Sequence, residues 1–317
     1  MASFAIGKCM KIRILAVFVF LVALTGGSIA DVIDGVKSAL ATGNFSAANS
    51  ALSRYRDQHG ADPAYMEALS WMARASLQAR QLDQAENYAQ QTESLVREQL
   101  KAQSLDTNPH LPIALGAAIE VQAQVLDDRG QRDKAVALLR RSLATYGATS
   151  IRARLQKNLN LLGLVGQPAP ALITAPYLGV RPSPLANMKG SPVLLFFWAH
   201  WCGDCKREGP ILSELSSEFA SKGLQVLAPT QLYGYAAAGE DAKPKDELTY
   251  VGKVWQQYYP ALQNVPVPVS KANFDRYGAS TTPTLVLIDR KGNVALYHPG
   301  LMPYDELKNA IERALAG

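Results

Sequence analysis

The sequence predicts an α/β fold, a mixed central sheet flanked by helices, preceded by an all-α helical-repeat domain. Three observations carry that expectation. Residues 31–163 abound in Ala, Leu, Gln and Arg and hold few β-branched residues, the composition of continuous helix. Gly166-Gln167-Pro168-Ala169-Pro170 then breaks the helical pattern. Beyond it, apolar runs of strand length alternate with stretches of helical periodicity. A chain of 317 residues has the length of about two domains. Hydrophobic residues at 48% against 19% charged exclude wholesale disorder. The expected organisation is a leader at 1–30, a helical domain at 31–165 and the α/β domain at 166–317.

The first thirty residues read as an address. Lys8, Lys11 and Arg13 precede the apolar run from Ile14 to Leu24, and Ser28-Ile29-Ala30 offers small residues ahead of Asp31. This is the order of a cleavable secretory signal, with cleavage expected after Ala30 and Met10 as a second candidate start beside Met1. The apolar run is well short of the ~20 residues a helix needs to cross a bilayer, which disfavours an uncleaved anchor. A periplasmic or secreted location follows. Cys9 then leaves with the leader, and Cys202 and Cys205 remain in a compartment that permits disulfides. The formal charge of +5 also shrinks, because without the leader 29 basic residues face 27 acidic ones. No nucleic-acid footprint is left.

Within the helical domain three turns look alike: Gly43-Asn44 with Ala48, Arg80-Gln81 with Ala85, and Gly130-Gln131 with Ala135. Each places a small residue five positions after a helix-ending one, so that two antiparallel helices can approach closely. The pattern resembles a tetratricopeptide-type array of period ~34, with extra residues around Asp106-Thr107-Asn108-Pro109. A generic helical bundle is the competing reading. Ile151, Leu155, Leu159 and Leu162 suit one closing amphipathic helix. Either architecture offers a surface for a protein partner or for self-association through residues 31–165, and neither offers chemistry.

In the second half, Pro192 to Trp198 is a continuous apolar run, as expected of a strand covered on both faces. Ile211, Leu215 and Phe219 make a helical stripe, Leu224 to Leu227 a short strand, and Glu247 to Leu262 another helix. Thr284–Ile288 and Val294–Tyr297 flank Asp289-Arg290-Lys291-Gly292-Asn293, a hairpin in which Gly292 is free to take positive φ. Leu307, Ile311 and Leu315 close the chain on a helix with Asp305 and Glu306 in its first turn, where the helix dipole favours acids.

The first strand runs into Trp198-Ala199-His200-Trp201-Cys202-Gly203-Asp204-Cys205-Lys206. A Cys-x-x-Cys at a strand–helix junction puts Cys202 at the helix N-terminus, where unpaired N–H groups and the positive dipole end stabilise a thiolate. Cys205, one turn on, is in reach of a mixed disulfide at Cys202, so the pair can pass between dithiol and disulfide without remodelling the fold. Strand alternation puts Trp198 in the core and Trp201 partly in solvent. His200 reads as a solvent-facing neighbour that tunes the thiol, and Glu208 either as a solvated surface residue or as a proton relay.

Here the chain resembles the thioredoxin superfamily, over roughly residues 166 to 317, which implies a thioredoxin-like fold. Phe197-Trp198-Ala199-x-Trp201-Cys202-Gly203-x-Cys205-Lys206 is close to that family's active-site line. Pro210 matches the proline of the active-site helix, and Thr282-Pro283 matches the cis-proline loop that aligns client backbone. The likeness is greatest to extracytoplasmic TlpA/ResA-type thiol-disulfide oxidoreductases, which share the secretory signal, a Gly-x-x-Ala-Pro-like opening, a helix before the third strand and an Ile-Asp-Arg-x-Gly hairpin. Glu208 matches their glutamate after the cysteine pair. The resemblance implies Cys202 and Cys205 as catalytic, Trp201, Thr282 and Pro283 as client-positioning, and Gly203, Asp204, Lys206 and Glu208 as modulating. It implies protein thiol or disulfide clients, a membrane-bound thiol electron donor and no prosthetic cofactor, with the reductase direction favoured.

Two departures stand out. Many thioredoxins carry a buried carboxylate six positions before the first cysteine, and Phe196 stands there, which shifts proton management to Glu208 or a water. Asp204 replaces a proline common in reducing members. Its carboxylate disfavours a Cys202 thiolate, which Lys206 and a protonated His200 favour. Rival functions fit less well. Tetrahedral zinc wants four ligands, and only His200 lies near the two cysteines. A peroxiredoxin-type peroxidase needs Thr or Ser three residues before its reactive cysteine, and Ala199 is there. A non-enzymatic docking or scaffold protein leaves the intact cysteine pair unexplained.

Overall fold

The structure, a computed structural model, describes residues 29–316. All but the last two residues of the expected leader lie outside the described residues. Seven helices come first: α1 (Ile29–Ala41), α2 (Phe45–His59), α3 (Pro63–Gln78), α4 (Leu82–Gln99), α5 (His110–Asp128), α6 (Arg132–Tyr146) and α7 (Arg152–Gly163). The three like turns join α1 to α2, α3 to α4 and α5 to α6. In each, the turn residue has positive φ: Gly43 at 71°, Arg80 at 61° and Gly130 at 73°. In each, the next residue donates its N–H five residues back, from Asn44 to Ala39, Gln81 to Ser76 and Gln131 to Leu126. Ala48, Ala85 and Ala135 are all fully buried, as the close approach of paired helices requires. The extra residues between α4 and α5 form a loop with one 3₁₀ turn, Leu105–Thr107.

The second half follows as β1 (Tyr177–Leu178), β2 (Val193–Phe197), α8 (Gly203–Ala220), β3 (Gln225–Leu227), α9 (Pro244–Tyr258), β4 (Val267–Pro268), α10 (Lys271–Tyr277), β5 (Thr284–Ile288), β6 (Val294–Pro299) and α11 (Tyr304–Ala316). The main sheet has order β3-β2-β5-β6, with β2 parallel to β3 and antiparallel to β5. β2 is buried throughout, and its side chains alternate between two cores. Leu194 and Phe196 face a cluster with Leu212, Leu215 and Phe219 of α8, Trp255 of α9 and Ile311 of α11. Val193, Leu195 and Phe197 face Phe274 and Tyr277 of α10. The hairpin turns where expected, with Gly292 at φ 89° and the Asp289 carboxylate accepting the N–H of Lys291 and Asn293.

Two features differ from expectation. β1 and β4 form a separate antiparallel pair, and α10 covers the second face of the sheet. The strands have two residues each and α10 has seven, too few for a period to show. The halves meet where α7 packs on α10. The Asn160 amide donates to the Tyr277 carbonyl at 2.9 Å. Gly278, with φ 60°, lies so close to α7 that a Cβ there would fall 2.2 Å from the Lys157 nitrogen.

Candidate functional site

β2 delivers the chain to the site, and α8 begins one loop later with Cys202 as its N-cap. The extended backbone of Cys202 turns its Sγ back over the helix, where it accepts the Cys205 N–H at 3.0 Å. The two sulfurs form a disulfide with Cα atoms 5.3 Å apart. Cys205 is fully enclosed, and Cys202 retains 3% exposure. The free N–H groups of the first turn of α8 thus converge on the Cys202 side of the pair.

The two tryptophans lie in the surroundings expected of them, although β2 ends at Phe197 and both Ala199 and His200 between them are buried. Trp198 is buried, its indole N–H donating to the Ala228 carbonyl at 3.1 Å. Trp201 is 50% exposed beside the disulfide, its ring edge-on to Tyr233. Asp204 is exposed and ion-paired with Arg207. Lys206 lies with its Nζ 4.2 Å from the centre of the Tyr258 ring. A Cβ on Gly203 would meet nothing within 4 Å, so no steric demand for glycine exists there. Thr282-Pro283 is a cis peptide. Register places Thr284 opposite Phe197, so Pro283 sits at the same end of the sheet from which the Cys202 loop departs. Pro283 is buried, and the Thr282 hydroxyl is enclosed without a partner.

Glu208, one turn beyond Cys205, is fully buried rather than solvated. Its Oε2 accepts the Met302 N–H at 3.2 Å, while Oε1 has no partner. Burial pushes its pKa from 4.5 up to about 7, against the opposing pull of that backbone hydrogen bond. Phe196, where many thioredoxins keep a carboxylate, packs edge-on against the buried Tyr259. The carboxyl enclosed beside the cysteines is therefore supplied from the helix rather than from the strand.

The expectation of a solvent-facing His200 is corrected. His200 is 2% exposed and sits among the rings of Tyr233, Tyr235 and Tyr250, with Nε2 3.6 Å from Oε1 of the buried Glu247. Desolvation, reinforced by Lys206, lowers its pKa below 6.5 despite Glu247, so it is neutral at pH 7. The physical reason is the segment between β3 and α9, which folds over the loop. Glu247 holds that segment by accepting the N–H of Tyr233 at 2.5 Å and of Gly234 at 2.8 Å. Sequence reasoning missed Glu247 and the three tyrosines. The run Tyr233-Gly234-Tyr235 was the available signal, since aromatic residues that dense are rarely all in solvent. Among the described residues, no group of three or more His, Cys, Asp or Glu is arranged to hold a metal ion.

The sheet, the flanking helices and a disulfide at a helix N-terminus beside a cis-proline define a protein of the thioredoxin class. A family described as a thioredoxin-like domain matches residues 185–315. The thiol-disulfide oxidoreductase ResA of Geobacillus thermodenitrificans is 29% identical over 148 residues, 47% of this chain and 76% of that protein. The thiol:disulfide interchange protein DsbE of Xylella fastidiosa strain Temecula1 is 30% identical over 157 residues, 48% of this chain and 70% of that protein. The crystal structure of the exposed lipoprotein thioredoxin of Streptococcus pneumoniae aligns with a TM-score of 0.33 at 28% identity, covering 41% of this chain and 90% of that one. The chain belongs to the thioredoxin-like thiol-disulfide oxidoreductases of the ResA and DsbE type, and it is an enzyme of that class.

Proposed function

We propose that the chain is an extracytoplasmic reductase of protein disulfides, working through Cys202-Gly203-Asp204-Cys205. The observation that carries the reading is the hydrogen bond from the Cys205 N–H to the Cys202 Sγ at the N-cap of α8. A charged sulfur in that position gains a backbone donor and the dipole of the helix. In the forward step the Cys202 thiolate attacks one sulfur of a client disulfide, and the other client sulfur leaves as thiolate. Cys205 then gives up its proton and attacks Cys202. The second client sulfur departs, and two electrons have passed to the client as the chain closes its own disulfide. Glu208, with a pKa of about 7, serves as acceptor for the Cys205 proton. Trp201, Thr282 and Pro283 position the client, and Gly203, Asp204 and Lys206 modulate the thiols. A membrane-bound thiol donor restores the dithiol.

The electrostatics favour the reducing direction. Strong oxidants of this fold stabilise their reduced form. Here the nearest histidine is neutral at pH 7, Asp204 adds an acid between the cysteines, and the Lys206 ammonium faces a tyrosine ring. The helix N-terminus is left as the main support for the thiolate. The leader-like order of residues 1–30 supports the extracytoplasmic location. No helix among the described residues is long and apolar enough to cross a membrane.

The test has two arms. Insulin reduction with dithiothreitol should disappear in Cys202→Ser, while Cys205→Ser should accumulate mixed disulfides with clients. Titration against a glutathione series should give a midpoint nearer the roughly −270 mV of a reductant than the roughly −120 mV of a strong oxidant. Insulin reduction that survives in Cys202→Ser removes the site assignment, and a midpoint near the oxidant value reverses the direction.

A further inference from the structure

The helical half contains a place where two cations gather without an acid of their own. Two adjoining cavities, of about 250 and 400 Å³, share Arg74 and Gln78 of α3. The smaller is walled by Lys37 and Leu40 of α1 with Trp71 of α3, and the larger by Glu120 and Gln124 of α5 with Arg154 of α7. Arg74 divides them. Its guanidinium lies 4.6 Å from the centre of the Trp71 ring, with the Lys37 Nζ 5.1 Å from the same ring.

Arg74 is half-buried, and desolvation lowers its pKa below the ordinary arginine value. An arginine in that setting normally holds a carboxylate. Here both nearby acids already have other partners. Glu120 accepts from Arg154 Nε and Lys157 Nζ, each at 2.7 Å, and Glu67 Oε2 lies 2.7 Å from His110 Nδ1. They reach Arg74 through space alone. The Trp71 Nε1 is enclosed with no partner either. Two cationic donors, from Lys37 and Arg74, therefore share one groove without an acceptor of their own.

We propose that this groove binds an acidic peptide segment of a partner protein. One carboxylate is received in charge-assisted hydrogen bonds by Arg74 and Lys37, and an adjacent apolar side chain rests on Trp71. The chain's own first thirty residues do not suit the groove, because they carry three cations and no acid. The two cavities are of side-chain size and one of them contains Glu120, which fits a peptide better than a nucleic-acid backbone. The proposal concerns a surface outside the thiol-exchange site and holds for either redox direction.

The experiment titrates the full processed chain into a fluorescein-labelled peptide of alternating Glu-Leu-Asp, and into its Gln-Leu-Asn counterpart, by anisotropy. Saturable binding of the acidic peptide, at least about tenfold tighter than that of the amide peptide, is expected. Arg74→Gln should weaken it about tenfold. Lys37→Ala, an exposed position that cannot unfold the chain, should weaken it a few-fold. Reduction of a small disulfide with no acidic segment to dock should be unchanged in both variants. Absence of saturable binding, equal affinity for the amide peptide, or unchanged affinity in both variants overturns the proposal. So does equal competition by single-stranded DNA, which would make the groove a general polyanion site. A self-association that Arg74→Gln abolishes overturns it in favour of a second copy of the chain.

Discussion

The two halves of the molecule treat buried polar groups differently. In the helical half most find a partner: the Tyr55 hydroxyl donates to Asp62, Glu67 meets His110, and Glu120 is held between Arg154 and Lys157. The unpartnered atoms among the described residues, Trp71 Nε1 and Ser76 Oγ, both lie on α3, one of them on a residue that lines the cationic groove. In the α/β half the unpartnered atoms gather about the disulfide: His200 Nε2, Glu208 Oε1, Tyr259 Oη and Thr282 Oγ1. Each such group costs on the order of 1–3 kcal/mol. A client, a proton or a partner that reached one of these atoms would relieve that cost.

The largest expected effect tests whether the halves are mechanically one. Gly278→Ala puts a Cβ into the α7 backbone at a residue that already needs positive φ. The joint must open or α10 must shift, and we expect a loss of about 3 kcal/mol or more. If the halves unfold together, a single denaturation transition moves as a whole. If they are independent, the helical transition stays in place and the comparison becomes one of two separate proteins on a string.

Next is the latch over the active-site loop. Glu247→Ala strands the Tyr233 and Gly234 N–H groups and leaves the His200 cage without its acid, which should cost about 2–3 kcal/mol. The His200 contribution has a definite sign. Its folded pKa lies below the unfolded 6.5, so its stabilisation is complete above 6.5 and is lost as pH falls through the folded pKa. Removing Glu247 takes away the one group that raises the pKa, so the acid limb of the stability profile should extend lower. Urea melts across pH 4–8 would read this, and an acid limb left in place would mean that His200 is insulated from Glu247.

Glu208 works in the opposite sense. Its folded pKa of about 7 exceeds the reference 4.5. Its neutral form is favoured in the fold, so stability is full below 4.5 and declines as pH rises through 7. Glu208→Gln removes that decline. The variant should match the wild type near pH 4 and exceed it by about 2 kcal/mol at about pH 8. Parallel curves would show that the carboxyl reaches solvent and that the two halves differ less in their treatment of buried polar groups.

Much of this was legible in the sequence because the relevant signals are local. The three helix turns carry their own chemistry, a turn residue and a small residue five positions on, and they form as read. The Cys-x-x-Cys at the end of an apolar strand fixed both the helix N-cap and the disulfide. What could not be read depends on long-range closure. His200 reads as exposed because nothing within its own loop covers it; the cover arrives with Tyr233, Tyr235 and Tyr250, some 33 to 50 positions on. Glu247 in the first turn of a helix looks like ordinary dipole chemistry until its oxygens are seen to hold Tyr233 and Gly234. Arg74 on a helix rich in small residues gives no sign that its neighbouring acids are already engaged.

The smallest effect is the one that divides client binding between the halves. Trp201 is half exposed beside the disulfide and leans only on the edge of Tyr233, so removing it should cost the fold little. An aromatic side chain that packs on a client is worth about 1 kcal/mol. If the α/β half alone holds the client, Trp201→Ala should raise KM for a protein disulfide about fivefold while kcat stays near that of the wild type. A small dithiol–disulfide substrate, with no polypeptide to pack on Trp201, should hardly notice. If instead the helical half holds the client and presents its disulfide to Cys202, KM should barely move in Trp201→Ala and should rise in Arg74→Gln. Measuring both variants on one protein client would show which half grips the client, because a shared grip raises KM in each and makes the double variant additive, as expected of sites that share no contact.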